Sequence, residues 1–192
     1  MKRIAIFASG GGSDMQSVVD GCESGFINGK VVAVVTNKDG IGALDRAKKH
    51  GIESKVFKLA DYKDAEDRDR AIIDYLVQKD VELVVLAGYL AIVTPSLVDK
   101  YRGKIINIHP SLIPKFCGKG MYGLKVHTAV IAAGEKESGA TVHFVDEGAD
   151  TGEIIAQVKV PVLEGDTPQT LQERVLIQEH ILLPSVVAKL CK

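Results

Sequence analysis

Two kinds of segment alternate along this chain, and that alternation restricts the fold more than any other feature. Short runs rich in β-branched residues, "RIAIFA" (3–8), "VVAVVT" (31–36), "SKVFKL" (54–59), "ELVVLA" (82–87), "KIINIH" (104–109), "ATVHFV" (140–145) and "EIIAQVKVPV" (153–162), read as strands. Amphipathic runs at 13–25, 42–51, 66–80, 95–101, 125–134 and 167–190 read as helices, the last broken or kinked at Pro184. Strands this apolar must be covered on both sides. The pattern therefore predicts an α/β fold, a mostly parallel twisted sheet with helices on both faces. Ligands of such sheets sit beyond the carboxyl ends of the strands. The 192 residues show no repeat and no linker, as one domain would.

Charge and composition narrow the partners. A formal net charge of −1 lacks the basic excess of a nucleic-acid binder, and 5% aromatic residues supply few stacking platforms. Small molecules are the expected ligands, without nucleic acid or membrane: no apolar run is long enough to span a bilayer or to serve as a signal peptide. Cys22, Cys117 and Cys191 are far apart and form no CxxC pair, so neither a disulfide framework nor a metal site is expected. A reducing cytoplasm suits them.

Two stretches carry chemistry. "FASGGGSDMQS" (7–17) joins the first strand to the first helix. Three glycines let backbone amides approach a ligand, and the helix N-terminus adds free N–H groups, an arrangement suited to phosphate. It is neither a complete G-x-G-x-x-G nor a Walker loop, and a tight turn capped by Ser13 is the plainer alternative. "IINIHPSLIP" (105–114) begins as a strand yet places Asn107 and His109 two residues apart, hence on one face, before Pro110 ends it. An Asn amide can donate to a developing oxyanion, and a His can exchange a proton near neutral pH. An acid beside the His would hold its tautomer. The stretch "HFVDEGADTGEII" (143–155) offers Asp146, Glu147 and Asp150 for this, and spacing does not choose among them. His143 is expected to pack or hydrogen-bond within its strand, and His50, His127 and His180 to be surface or helix residues.

Six stretches, "SGGGSDMQ", "NKDGIGALDRAKKHGI", "VLAGYLAIVTP", "NIHPSLIPKF", "TVHFVDEGADTGEIIAQ" and "RVLIQEH", together resemble the formyltransferase family from about Ile4 to Pro184. "NIHPSLIP" is shared across that family, including its transfer-RNA and deformylase branches. The full set in a chain of this length resembles the branch that formylates glycinamide ribonucleotide. The resemblance implies a Rossmann-like formyltransferase fold, a phosphate-binding half of about 1–100 and a catalytic and folate-binding half of about 101–192. It implies Asn107, His109 and Asp150 as the catalytic trio. Gly12, Ser13, Asp14, Gly88, Gln178 and Glu179 would contact the ribonucleotide. Leu90, Ala91, Ile92 and Val93, with Asn107 and the loop Asp146, Glu147, Gly148, Ala149, Asp150, would line the pocket for 10-formyltetrahydrofolate, the formyl donor. No metal is implied, and the protein would be a monomer or homodimer.

The chain departs from the family pattern in places. Asp14 stands where relatives usually have Asn; an ionised carboxylate repels phosphate, so backbone amides would carry more of the binding. Ala91 stands where many have Arg. Arg68 and Arg70 are the only arginines near a position where some relatives carry one. The Gly-rich loop 117–125 is longer than in several relatives. A formyl-donor hydrolase and a dinucleotide-dependent oxidoreductase are the rival classes. The incomplete glycine fingerprint and the lack of an acid ending "VVAVVT" count against the second.

Overall fold

The computed structural model describes all 192 residues. Seven strands form one sheet in the order β3-β2-β1-β4-β5-β6-β7. They are β1 (Lys2–Ala8), β2 (Gly29–Thr36), β3 (Ser54–Val56), β4 (Leu83–Leu86), β5 (Ile105–His109), β6 (Glu137–Phe144) and β7 (Ile154–Pro161). The first five pair in parallel, while β5 with β6 and β6 with β7 are antiparallel. The connecting helices are α1 (Ser13–Glu23), α2 (Gly42–Lys49), α3 (Ala65–Gln78), α4 (Pro95–Lys100), α5 (Leu124–Ala132) and α6 (Pro168–Leu190).

The apolar runs explain the layers. Ile4 and Ile6 of β1 point to one face, where they pack with Met15 and Val18 of α1 and Leu183 and Val187 of α6. Ala5 and Phe7 point to the other, against Ile72 and Leu76 of α3 and Leu97 of α4. Both faces of the central strand are thus dry, as a parallel sheet requires. A third cluster, with Val126 and Val130 of α5, Ala140, Val160, and Leu171 and Val175 of α6, fastens α5 beside the antiparallel strands.

Three local expectations change. β3 ends at Val56 and the chain enters a 3-10 turn at Leu59–Asp61, because this edge strand has only β2 to pair with. Pro184 does not end α6, which runs through it to Leu190. The proline is buried among Leu183, Val186 and Val187, and this packing outweighs the one backbone hydrogen bond that proline cannot make. Ser13 is not a cap. Gly12 occupies the N-cap in the left-handed region (φ 77°) with no side-chain cap, and Ser13 is the first helical residue. A Cβ on Gly12 would stand 2.9 Å from Ala43 Cα, so this glycine also admits the close approach of α2.

β1 is followed by β2 on one side and β4 on the other, so the strand order reverses between β1 and β4. The crevice that usually holds the ligand in open α/β sheets opens at such a reversal.

Candidate active site

A cleft of about 550 Å³ lies at that reversal. It is lined by Ser13 and Asp14 after β1, Gly88 to Leu90 after β4, Asn107 to Pro110 at the end of β5, Ala149 and Asp150, and residues of α5 and α6.

At one end, strand geometry assembles a polar cluster. Asn107 and His109 alternate with Ile106 and Ile108, whose side chains enter the core. Antiparallel β6 sets His143 opposite Asn107 and Thr141 opposite His109. Asn107 Nδ2 lies 3.1 Å from His143 Nε2 and 3.4 Å from Asp150 Oδ1. Asp150 Oδ2 lies 3.7 Å from His109 Nδ1, and its Oδ1 3.5 Å from His143 Nε2. The Gly118 amide donates to Asp150 Oδ2 at 2.9 Å. His109 Nε2 faces the Phe116 carbonyl at 2.9 Å, and His143 Nδ1 faces the Phe144 carbonyl at 2.7 Å. A carbonyl only accepts, so each of these nitrogens carries its proton. His109 is left with Nδ1 towards Asp150, and His143 with Nε2 between the Asn107 amide and Asp150.

Burial pushes the Asp150 carboxyl up. The His143 contact, the Gly118 N–H and the charges of both imidazoles outweigh it, and the group ends below the usual carboxylate range. It is a fixed anion beside His109. Its backbone is left-handed (φ 58°), a conformation that Asp tolerates better than most residues. The loop supports this. Asp146 accepts from the Gly148 amide and from Thr151 Oγ1, and a Cβ on Gly152 would stand 1.7 Å from the Phe144 carbonyl oxygen. Glu147 turns outward to Arg102. Of the three acids that spacing left open, the structure brings only Asp150 to His109.

The other end has a different character. Asp14 and Glu179 stand close enough for each carboxyl group to influence the other. Burial, partly countered by Glu179, raises Asp14 to about 6; burial and the charge of Asp14 raise Glu179 well above the usual range. His180 Nε2 stands 3.6 Å from Asp14 Oδ1, and neither atom has a hydrogen-bond partner.

The remaining predicted residues divide. Gly88 and Leu90 line the cleft, whereas Ala91, Ile92 and Val93 do not, and Ile92 is 80% exposed. Arg68, one of the two arginines near that family position, is buried. It pairs with Asp69 at 2.7 Å and donates to the Ile92 carbonyl at 2.6 Å, while Asp69 accepts from the Thr94 amide. This pair shapes the 88–94 loop from behind. Ala149 and Asp150 line the cleft, but Asp146, Glu147 and Gly148 do not. Gln178 is also off the cleft. Gln172 and Leu176, seven and three residues before Glu179 on the same face of α6, line it instead. Gly12 sits behind Ser13 against α2 and does not line the cleft.

Sequence reading missed His143 and His127. His143 joins the cluster only through β5–β6 register, which no local signal reveals. His127, expected among surface or helix residues, is on α5 but 1% exposed and lines the cleft. No group of His, Cys, Asp and Glu side chains converges as a metal site, and no helix is long and apolar enough to cross a membrane.

Comparison with known proteins identifies the family and the fold. The formyl transferase family model matches residues 2–187. The chain is 44% identical to the chloroplastic phosphoribosylglycinamide formyltransferase of Arabidopsis thaliana, over all of this chain and 66% of that protein. It is 41% identical to the phosphoribosylglycinamide formyltransferase of Haemophilus influenzae, over 97% of this chain and 86% of that one. The crystal structure of glycinamide ribonucleotide transformylase 1 from Geobacillus kaustophilus superposes with a TM-score of 0.94 at 38% identity, each chain being covered in full. The chain spans two thirds or less of the length of the first curated relatives it matches. The family model covers nearly every residue, and the whole seven-stranded architecture is shared with a solved member at high overlap; the chain belongs to the formyl transferase family.

Proposed function

We propose that this protein transfers the formyl group of 10-formyltetrahydrofolate to the primary amine of glycinamide ribonucleotide, giving formylglycinamide ribonucleotide and tetrahydrofolate, a step of purine biosynthesis. The observation that carries this reading is the cluster around Asp150, where a fixed carboxylate, two imidazoles and an amide converge on one wall of the cleft. In the reaction the amine attacks the formyl carbon and a carbon–nitrogen bond forms. The former carbonyl oxygen becomes an oxyanion, the attacking nitrogen loses a proton, and the folate nitrogen gains one as its bond to carbon breaks. Asn107 holds one N–H on His143 at 3.1 Å; the other, in only a long contact with Asp150, is free for the oxyanion. His109 Nδ1, facing Asp150, is the site at which a proton can be taken and returned. The carboxylate stabilises the imidazolium without moving itself.

At the opposite end, Ser13 and the amides at the start of α1 are offered to the phosphate of the ribonucleotide, and Glu179 to its neutral polar groups. Leu90, Ala149 and Asp150 border the side left for the folate. The three free cysteines suit a reducing compartment such as the cytoplasm. An assay of formate release and formyl transfer, with and without glycinamide ribonucleotide, tests the reading. Transfer should begin only when the ribonucleotide is added. Rapid formate release that ignores it would make the protein a hydrolase.

A further inference from the structure

The reaction proposed above leaves His127 without a task, yet few residues of the cleft are so constrained. It stands on α5 between the core and the cleft, 1% exposed, beside Val126 in the apolar cluster that joins α5 to α6. Its Nδ1 is buried and has no hydrogen-bond partner in the protein. A buried ring nitrogen left unpaired costs on the order of 1–3 kcal/mol, so a partner is to be sought where one can arrive. The cleft is that place.

The ring's charge state limits the partner. Burial, and then the neighbouring charge of His109, lower His127 to about 4. At neutral pH it therefore offers one N–H and one lone pair. An anion such as phosphate would call for the imidazolium, whereas an amide, which both donates and accepts, matches the neutral ring. The influence of His109 also means that His127 lies near the reacting centre. Gln172, Leu176 and Glu179 of α6 line the same cleft, and α5 packs on α6. Glu179 is the residue offered above to the acceptor.

We propose that His127 is a substrate-binding residue, hydrogen-bonding the glycinamide amide of the acceptor ribonucleotide and so holding the adjacent amine against Asn107 and His109. The inference rests on the function proposed above. Its test uses the wild-type protein with ¹⁵N-labelled histidine. The His127 ring nitrogens should shift on saturation with glycinamide ribonucleotide and stay unmoved by ribose 5-phosphate, which lacks the amide. Replacing His127→Phe, which keeps volume but no hydrogen bond, should raise the KM for the ribonucleotide by ~10-fold, the equivalent of one lost hydrogen bond. The KM for the formyl donor should stay within about twofold, and His127→Gln should recover most of the loss, since a neutral amide side chain replaces the neutral ring. Ring signals unmoved by the ribonucleotide, or shifted equally by ribose 5-phosphate, would overturn the proposal, as would an unchanged ribonucleotide KM in folded His127→Phe. If that variant does not fold, the wild-type spectra decide. Formyl transfer by the same preparation is measured alongside. Unmoved His127 signals in a protein that transfers formyl remove this inference alone, whereas absence of transfer removes the proposed function.

Discussion

The two ends of the cleft each hold a half-buried aspartate, and the protein treats them in opposite ways. Asp150 receives the Gly118 N–H and stands beside the Asn107 amide and the His109 and His143 rings, which together hold its carboxyl below the usual range despite partial burial. Asp14 has a second carboxyl, that of Glu179, for its nearest partner, and its own Oδ1 faces His180 without a hydrogen bond. Burial is a penalty at both. What differs is whether the neighbours bring N–H groups or a further negative charge. The comparison teaches that the proton affinity of a half-buried carboxyl is a property of its company, lowered at one end of this cleft and raised at the other.

The largest expected effects break the Asp150 end. His109→Ala and Asn107→Ala should each lower turnover by ~10²–10⁴, the range for losing a proton-transfer group or an oxyanion donor. Steady-state kinetics on the folded variants would check this, and turnover like wild type in either would end the assignment. Asp150→Asn, which keeps size and removes charge, should cost ~10²-fold or more in turnover, because a neutral amide does not support the imidazolium. It should also abolish the stability that the ionised group confers. Asp150 lies below its ordinary value in the fold, so this contribution is present above the usual carboxylate range and disappears as acid protonates the group. Acid unfolding followed by circular dichroism measures the difference.

The same substitution at the other end should act with the opposite sign. Asp14 is raised from 3.8 to about 6, so the folded state holds its proton more tightly than the unfolded state does. Its stabilising contribution is full below about pH 4 and is lost as pH rises through about 6. Asp14→Asn removes that loss and gives Glu179 an N–H donor. The variant should be more stable than wild type at pH 8 by ~1–3 kcal/mol, with the advantage shrinking towards pH 4. Urea titrations at the two pH values would show it. Titration calorimetry should also find tighter ribonucleotide binding and less proton uptake in Asp14→Asn, with folate affinity unchanged. Weaker binding would mean that the proton held by Asp14 is itself a donor to the ligand.

The smallest effect concerns the outer face of the Asp150 loop. Arg102 pairs with Glu147 and Asp99, but all three side chains are at least half exposed. Water and salt screen such pairs. Arg102→Gln should leave the thermal midpoint unchanged within error, which would confirm that Asp146, Thr151 and Gly152 set the shape of this loop.

Much of the fold and part of the cleft could be read from the chain itself. Near-continuous apolar runs, spaced by amphipathic ones, dictate a buried parallel sheet, because its helices cover both faces of such strands. The pairing of Asn107 and His109 follows from strand alternation alone, and the Gly-rich turn before α1 from the conformational freedom of glycine. These are local rules. Contacts between distant segments obey none of them. The placing of His143 against Asn107 needed the antiparallel register of β5 and β6. Choosing Asp150 over Asp146 and Glu147 depended on a left-handed residue within a loop tied by Thr151. The mutual influence of Asp14 and Glu179, 165 positions apart, required α6 to pack against α1. His127 turned from a helical residue into a cleft residue only because α5 lies over the end of β5. The sequence determined which segments must be buried, since hydrophobicity and period are written residue by residue. The tertiary structure alone decided which polar side chains meet and which carry charge, since both depend on neighbours that the chain supplies from far away.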